Sequence, residues 1–170
     1  MLLTQINHAF NCSVGLDFNN INDLNFLLKE GFIKMADRKI KLVLAKLGLD
    51  VHNRGVITVA KMLRDAGMEV IYLGNAMPKE ILNIAIQEHV DVVGVSSLGG
   101  AHLTLGKDLL DDAETEGLKD SMVFIIGGIF SIEDGDKLKE IGFEGIYTAG
   151  ATKDEIVNSV IELVGKKIAS

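Results

Sequence analysis

From residue 39 onward the chain alternates between apolar runs of strand length and segments with helical spacing, and few folds accept that order. The runs are Ile40–Leu47, Glu69–Leu73, Asp91–Ser96, Met122–Ile126 and Gly145–Thr148. Several are continuously apolar, as in D-V-V-G-V-S and M-V-F-I-I-G. Continuous runs mark strands covered on both faces, the habit of parallel sheets. Between them, Val56, Val59, Ala60, Leu63 and Ala66 form one helical stripe. Ile81, Ile84, Ala85 and His89 form a second, Leu105, Leu109 and Ala113 a third, and Ile156, Val160, Ile161 and Val164 a last. Pro78 stands where a helix begins, Ser131 with Asp134 reads as a cap, and Gly67, Gly117 and Gly142 each follow a helix end. Five β-α units in a row predict an α/β, doubly wound parallel sheet, because right-handed crossovers permit little else. Five strands and this length favour the flavodoxin-like order 2-1-3-4-5.

Residues 1–38 stay outside the alternation. They read as an N-terminal extension with one short helix, about Asn22 to Lys29, ended by Gly31, and residues 39–168 read as the single domain. The plainest reading of the extension is a surface segment without chemistry. No internal repeat or low-complexity tract is visible.

Composition excludes several functions. The formal charge is −7, with 24 acids against 17 bases, and no basic cluster of the size a phosphate backbone needs is present, so no nucleic-acid partner is expected. The one cysteine, Cys12, cannot form an intramolecular disulfide and fits a reducing compartment. No apolar run reaches 18 residues, so no membrane span is expected, and the N-terminus lacks a secretory pattern. The expectation is a cytoplasmic, single-core protein whose core is aliphatic, since aromatics are 5% and tryptophan is absent.

In an open parallel sheet ligands bind at the carboxyl ends of the strands, near the switch in strand order. Those exits read L-D-V-H-N-R-G, S-S-L-G-G-A-H, I-I-G-G-I-F and Y-T-A-G-A-T. A phosphoacceptor would need an aspartate after strand three and a lysine after strand five, where Ser96-Ser97 and Tyr147-Thr148 stand. A flavin-phosphate loop would be richer in Ser, Thr and Gly, and no G-x-G-x-x-G follows strand one. Zinc needs three or four converging ligands, and His8 with Cys12 lacks companions. What remains is one imidazole, His52, with a carboxylate, Asp50, two residues away, beside a glycine-lined slot. A ligating histidine commonly donates its other ring N–H to a carboxylate. With only one protein ligand on offer, a metal here must bring its own macrocycle.

The blocks D-V-H-N-R-G, S-S-L and G-G resemble the D-x-H-x-x-G … S-x-L … G-G signature of cobalamin-binding domains that hold the cofactor base-off. They are separated by 40 residues (56–95) and 28 residues (99–126). The resemblance covers about residues 39 to 165. It implies that His52 is the axial cobalt ligand, Asp50 its orienter, and Gly55 the start of the helix beneath the corrin. It further implies that Ser96 bonds the displaced benzimidazole, that Leu98 packs along the tail slot, and that Gly127, Gly128 and Gly150 give the tail room.

Within that family, V-S-S-L-G-G-A-H-L-T-L and G-M-E-V-I-Y-L-G look like the small subunit or C-terminal domain of methylmalonyl-CoA-type mutases. This likeness implies the cobalamin-binding subunit of an isomerase that uses adenosylcobalamin. Radical rearrangement of an acyl-CoA would occur on a separate large TIM-barrel subunit, with no catalytic acid or base in this chain. Asn53 departs from the second aspartate common in acyl-CoA mutases, and N-A-M-P replaces their Q-T-P. The alternatives are a corrinoid carrier for methyl transfer, using methylcobalamin, or a cobalamin-responsive binding module. His102 is expected as a helix-start or interface residue and His89 as a helix-end residue.

Overall fold

The computed structural model describes residues 39–98 and 100–169. The helix expected near Asn22, with His8 and Cys12, lies outside them. Five strands, β1 (Lys41–Leu47), β2 (Glu69–Ala76), β3 (Val92–Ser97), β4 (Val123–Gly128) and β5 (Gly145–Thr148), alternate with five helices. The helices are α1 (Arg54–Asp65), α2 (Pro78–Glu88), α3 (His102–Thr115), α4 (Ile132–Ile141) and α5 (Lys153–Ala169). All strand pairs are parallel and the order is β2-β1-β3-β4-β5, so the expected flavodoxin-like topology is what the chain adopts.

Period-two alternation divides the strand side chains between two helical layers. Val43, Ala45, Leu47, Val93, Val95, Phe124 and Ile126 meet α2, α3 and α4 on one face. Leu42, Leu44, Val92, Val123 and Ile125 meet α1 and α5 on the other. Fully buried side chains such as Leu63 and Phe124 each contribute about 1.5–3 kcal/mol by leaving water. Three helices cover one face and two the other, which leaves more of the second open near the strand ends.

The helix signals hold at most positions. Pro78 opens α2, and Asp134 N–H donates to Ser131 Oγ at 3.0 Å to cap α4. Gly67, Gly117 and Gly142 have φ of +91°, +68° and +122°, as chain reversal after a helix requires. Three stripe assignments differ, and the first is His89, the exposed C-cap of α2. Ala66 is the exposed C-cap of α1 rather than a core residue, and Ile161 is 49% exposed. Ile156, Val160 and Val164 already fill the buried line of α5 at intervals of four, and Ile161 falls about 100° away from it.

Strand β2 also runs three residues past its expected end. Leu44 pairs with Tyr72 but Ala45 pairs with Gly74, so Leu73 is an extra residue in the ladder. Gly74 takes φ +74°, which lets the backbone absorb the bulge and continue pairing to Ala76. Among the described residues no helix is long and apolar enough to cross a membrane.

Candidate functional site

The first strand leaves the sheet through a turn its sequence requires. Gly48 has φ +70°, and a Cβ there would come within 2.6 Å of Leu105 Cδ1. After the turn the loop alternates: Leu49 is 95% exposed, Asp50 is buried, Val51 is 83% exposed, and His52 stands at the rim. Asp50 Oδ1 accepts the backbone N–H of His52 at 2.8 Å and lies 2.9 Å from its Nδ1. Asp50 Oδ2 accepts the amide of Leu98, in the loop after β3, at 2.6 Å. Burial pushes the Asp50 carboxyl upward, but the amides of Leu98 and His52 and the His52 ring more than offset it, so it is held below the ordinary aspartate range.

An ionised Asp50 only accepts, so its bond to the ring places the proton on Nδ1 and leaves Nε2 with a lone pair. The His52 side chain is 59% exposed, and Nε2 has no hydrogen-bond partner among the described residues. An imidazole held by one edge with the other nitrogen open is arranged as a ligand.

Lys46 belongs to this loop, and the sequence reading passed over it. It is buried near the end of β1, and its ammonium donates to the Asp50 carbonyl at 2.7 Å. A lysine inside the apolar run K-I-K-L-V-L-A-K-L was the available signal, because an ammonium enters such a run only with a fixed acceptor.

Beside the loop, a cavity of about 400 Å³ opens between the sheet and the layer of α1 and α5. Leu44, Gly94, Ile125 and Tyr147 line it from the four strands, and Val56, Val59, Met62 and Ile156 from the two helices. Gly55, Ser96, Leu98, Gly127, Gly128 and Gly150 all line it as well, while Asp50 and His52 stand beside its Arg54–Gly55 edge. The structure therefore gathers the candidate residues from the carboxyl ends of four separate strands and the segments that follow them.

The glycines have different reasons for lacking a side chain. A Cβ on Gly127 would meet nothing closer than Tyr147 O at 3.7 Å, so its absence leaves open space. A Cβ on Gly128 would lie 2.2 Å from Ser97 O and 2.6 Å from the Phe130 ring, so that glycine is demanded by the protein's own packing. Gly94, missed earlier, is the cavity's floor: a Cβ there would sit 2.4 Å from Leu44 Cδ2. A lone glycine inside D-V-V-G-V-S signalled a close approach. Tyr147, also missed, donates its hydroxyl to Ser159 Oγ at 2.9 Å, and burial raises its pKa.

Of the departures noted above, Asn53 is the exposed N-cap of α1 without a side-chain cap bond and does not line the cavity. Asn75 and Ala76 finish β2, and Met77 N–H donates to Glu80 Oε2 at 2.8 Å at the start of α2.

The other described histidines are spoken for. His89 ends α2 in the left-handed region at φ 52°. His102 begins α3, is buried, lies 3.3 Å from Asp134 Oδ2 through Nε2, and packs on Phe130 with ring centres 4.9 Å apart. Among the described residues no three of His, Cys, Asp and Glu converge as a metal site. The chemistry on offer is one imidazole with an open ring nitrogen beside an apolar slot.

Comparison with known proteins gives the family of the chain. Residues 40–157 match the model of the B12 binding domain. The chain belongs to the B12-binding domain family. Within it, the chain is 40% identical over 134 residues to the 2-hydroxyisobutanoyl-CoA mutase small subunit of Aquincola tertiaricarbonis, covering 78% of this chain and 98% of that one. It is 37% identical over 139 residues to the pivalyl-CoA mutase small subunit of Xanthobacter autotrophicus, covering 81% and 92%. A solved cobalamin-binding protein from Desulfitobacterium hafniense DCB-2 superposes with a TM-score of 0.65 at 23% identity, covering 79% of this B12-binding chain and 63% of the other, and this likeness concerns the fold.

Proposed function

We propose that this chain is the cobalamin-binding small subunit of an adenosylcobalamin-dependent acyl-CoA mutase, with His52 as the lower axial ligand to cobalt. The observation that carries the reading is the Asp50–His52 pair, 2.9 Å apart, with Nε2 open beside a cavity of about 400 Å³. The residues fit the group. One imidazole suffices for a cobalt that brings its own macrocycle. The apolar slot takes a planar aromatic base, and Gly55, Gly127 and Gly150 leave its walls without side chains. When bound, adenosylcobalamin supplies a weak cobalt–carbon bond and the radical chemistry that follows from it.

The chain's own residues bind and orient. Asp50 sets the tautomer and orientation of His52, Lys46 steadies the loop, and Ser96 and Leu98 border the slot. The binding domain is residues 39–168, preceded by the N-terminal extension of residues 1–38. The acyl-CoA site belongs to a large TIM-barrel partner subunit in the cytoplasm. High coverage of two mutase small subunits favours this over a methyl-transfer corrinoid carrier or a cobalamin-responsive module.

The test is spectroscopic. The purified chain mixed with adenosylcobalamin is expected to give the absorption spectrum of a base-off complex with histidine on cobalt. The His52→Ala variant is expected to lose that spectrum while staying folded. Equal spectra and equal affinity in the two proteins would overturn the assignment.

A further inference from the structure

His102 is buried, yet nothing in the ligand arrangement uses it. Its Nε2 lies 3.3 Å from Asp134 Oδ2, and its Nδ1 is buried without a hydrogen-bond partner among the described residues. Asp134 is ionised and accepts, its carboxyl held down first by the bond to His102, so the ring proton belongs on Nε2 and Nδ1 keeps a bare lone pair. An unsatisfied buried nitrogen is a cost that the fold carries for the sake of the other one.

The other nitrogen joins two loops. His102 is the first residue of α3, at the end of the loop that begins with Leu98, and Asp134 lies in the first turn of α4. Those loops leave neighbouring strands, with Ser96 beside Gly127 and Ser97 beside Gly128. They contribute Leu98 and Ile129 to the cavity lining, just past Ser96, Gly127 and Gly128 at the strand ends. The first loop is anchored at its start by Asp50, through the Leu98 amide. At its end His102 ties it to Asp134, and the His102 ring packs at a tilt on Phe130 of the second loop. On the same side, Phe130 closes against Gly128, where a Cβ would lie 2.6 Å from its ring.

We infer that His102 and Asp134, which lie in the helical layer across the sheet from the cavity, are a positioning pair that holds the rim of the tail slot, where Leu98 and Ile129 stand, by tying the start of α3 to the first turn of α4. The inference rests on the cobalamin reading above. It separates two parts of binding: His52 takes the cobalt at the rim, whereas the slot takes the nucleotide tail. Loss of the pair should therefore weaken ligands that carry a tail and spare one that does not.

The experiment compares cobalamin with cobinamide, its analogue without the nucleotide tail, by absorbance titration of the full chain. His102→Ala is expected to raise the cobalamin dissociation constant by about tenfold, the effect of one charge-assisted hydrogen bond, and to leave that for cobinamide within about twofold. His102→Gln, whose amide nitrogen can replace Nε2, is expected to stay near wild type. His102→Asn, which reaches only the Nδ1 position, is expected to behave like Ala. If the Ala chain fails to fold, the Gln and Asn pair carries the same comparison. Equal weakening of both ligands, or none of either, would overturn the positioning role. A wild-type chain that binds neither ligand would instead sink the cobalamin reading, and this inference with it.

Discussion

Asp50 and Leu98, 48 residues apart in sequence, are joined by a 2.6 Å hydrogen bond from the Leu98 amide to the aspartate's Oδ2. The bond crosses the point where strand order reverses, since β1 lies between β2 and β3. One buried carboxylate thus performs two tasks. It orients His52 with one oxygen and fastens the loop that borders the slot with the other.

Removal of that carboxylate should be felt in stability as well as in binding. Asp50→Ala leaves the Leu98 and His52 N–H groups without their shared carboxylate acceptor, while the Lys46 bond to the carbonyl of residue 50 survives. The expected loss is about 1–3 kcal/mol of unfolding free energy, the cost of a buried donor left unpaired. Urea denaturation measures it. An Asp50→Ala chain as stable as wild type would show that the Leu98 bond is idle.

Acid should act through the same group. Asp50 has a lowered folded-state pKa, so the folded state prefers the carboxylate. Its contribution is complete above the unfolded value of about 3.9 and is lost as pH falls through the lower folded value. Asp134, Glu155 and Glu162 are also lowered and add to the same decline. Unfolding free energy measured from pH 5 downward should therefore fall more steeply in wild type than in Asp50→Asn. Parallel curves would contradict the direction of the shift.

The adjacent glycines offer a sharper contrast. Gly127→Ala fits beside Tyr147 O at 3.7 Å, so the fold should hold its stability while the slot narrows and cobalamin binds less tightly. Gly128→Ala places a methyl 2.2 Å from Ser97 O, a backbone atom that cannot swing aside. That clash should cost about 1–3 kcal/mol, the range for overpacking. Thermal melting together with cobalamin titration distinguishes them, and identical behaviour of the two variants would refute the division.

Much of the fold was legible because its causes are local. Continuous apolar runs, four-residue stripes, Pro78 and the Ser131 cap act within a few residues of themselves, so the element order and the five-stranded topology could be read in advance. The β2 bulge could not, because it depends on which residue of β1 faces Gly74. Six of the candidate residues proved to line one cavity, yet Lys46, Gly94 and Tyr147 were missed. Each looks ordinary in its own strand and gains meaning only from neighbours on another.

By itself, the sequence determined the alternating units, their parallel order and the loops that carry polar residues, since those follow from hydrophobic period and backbone geometry. The tertiary structure alone decided that Asp50 reaches Leu98, that His102 reaches Asp134, and that Gly127 borders open space while Gly128 meets Ser97. Contacts between loops on different strands depend on ångström-scale packing across the sheet, and hydrophobic period carries no information at that scale.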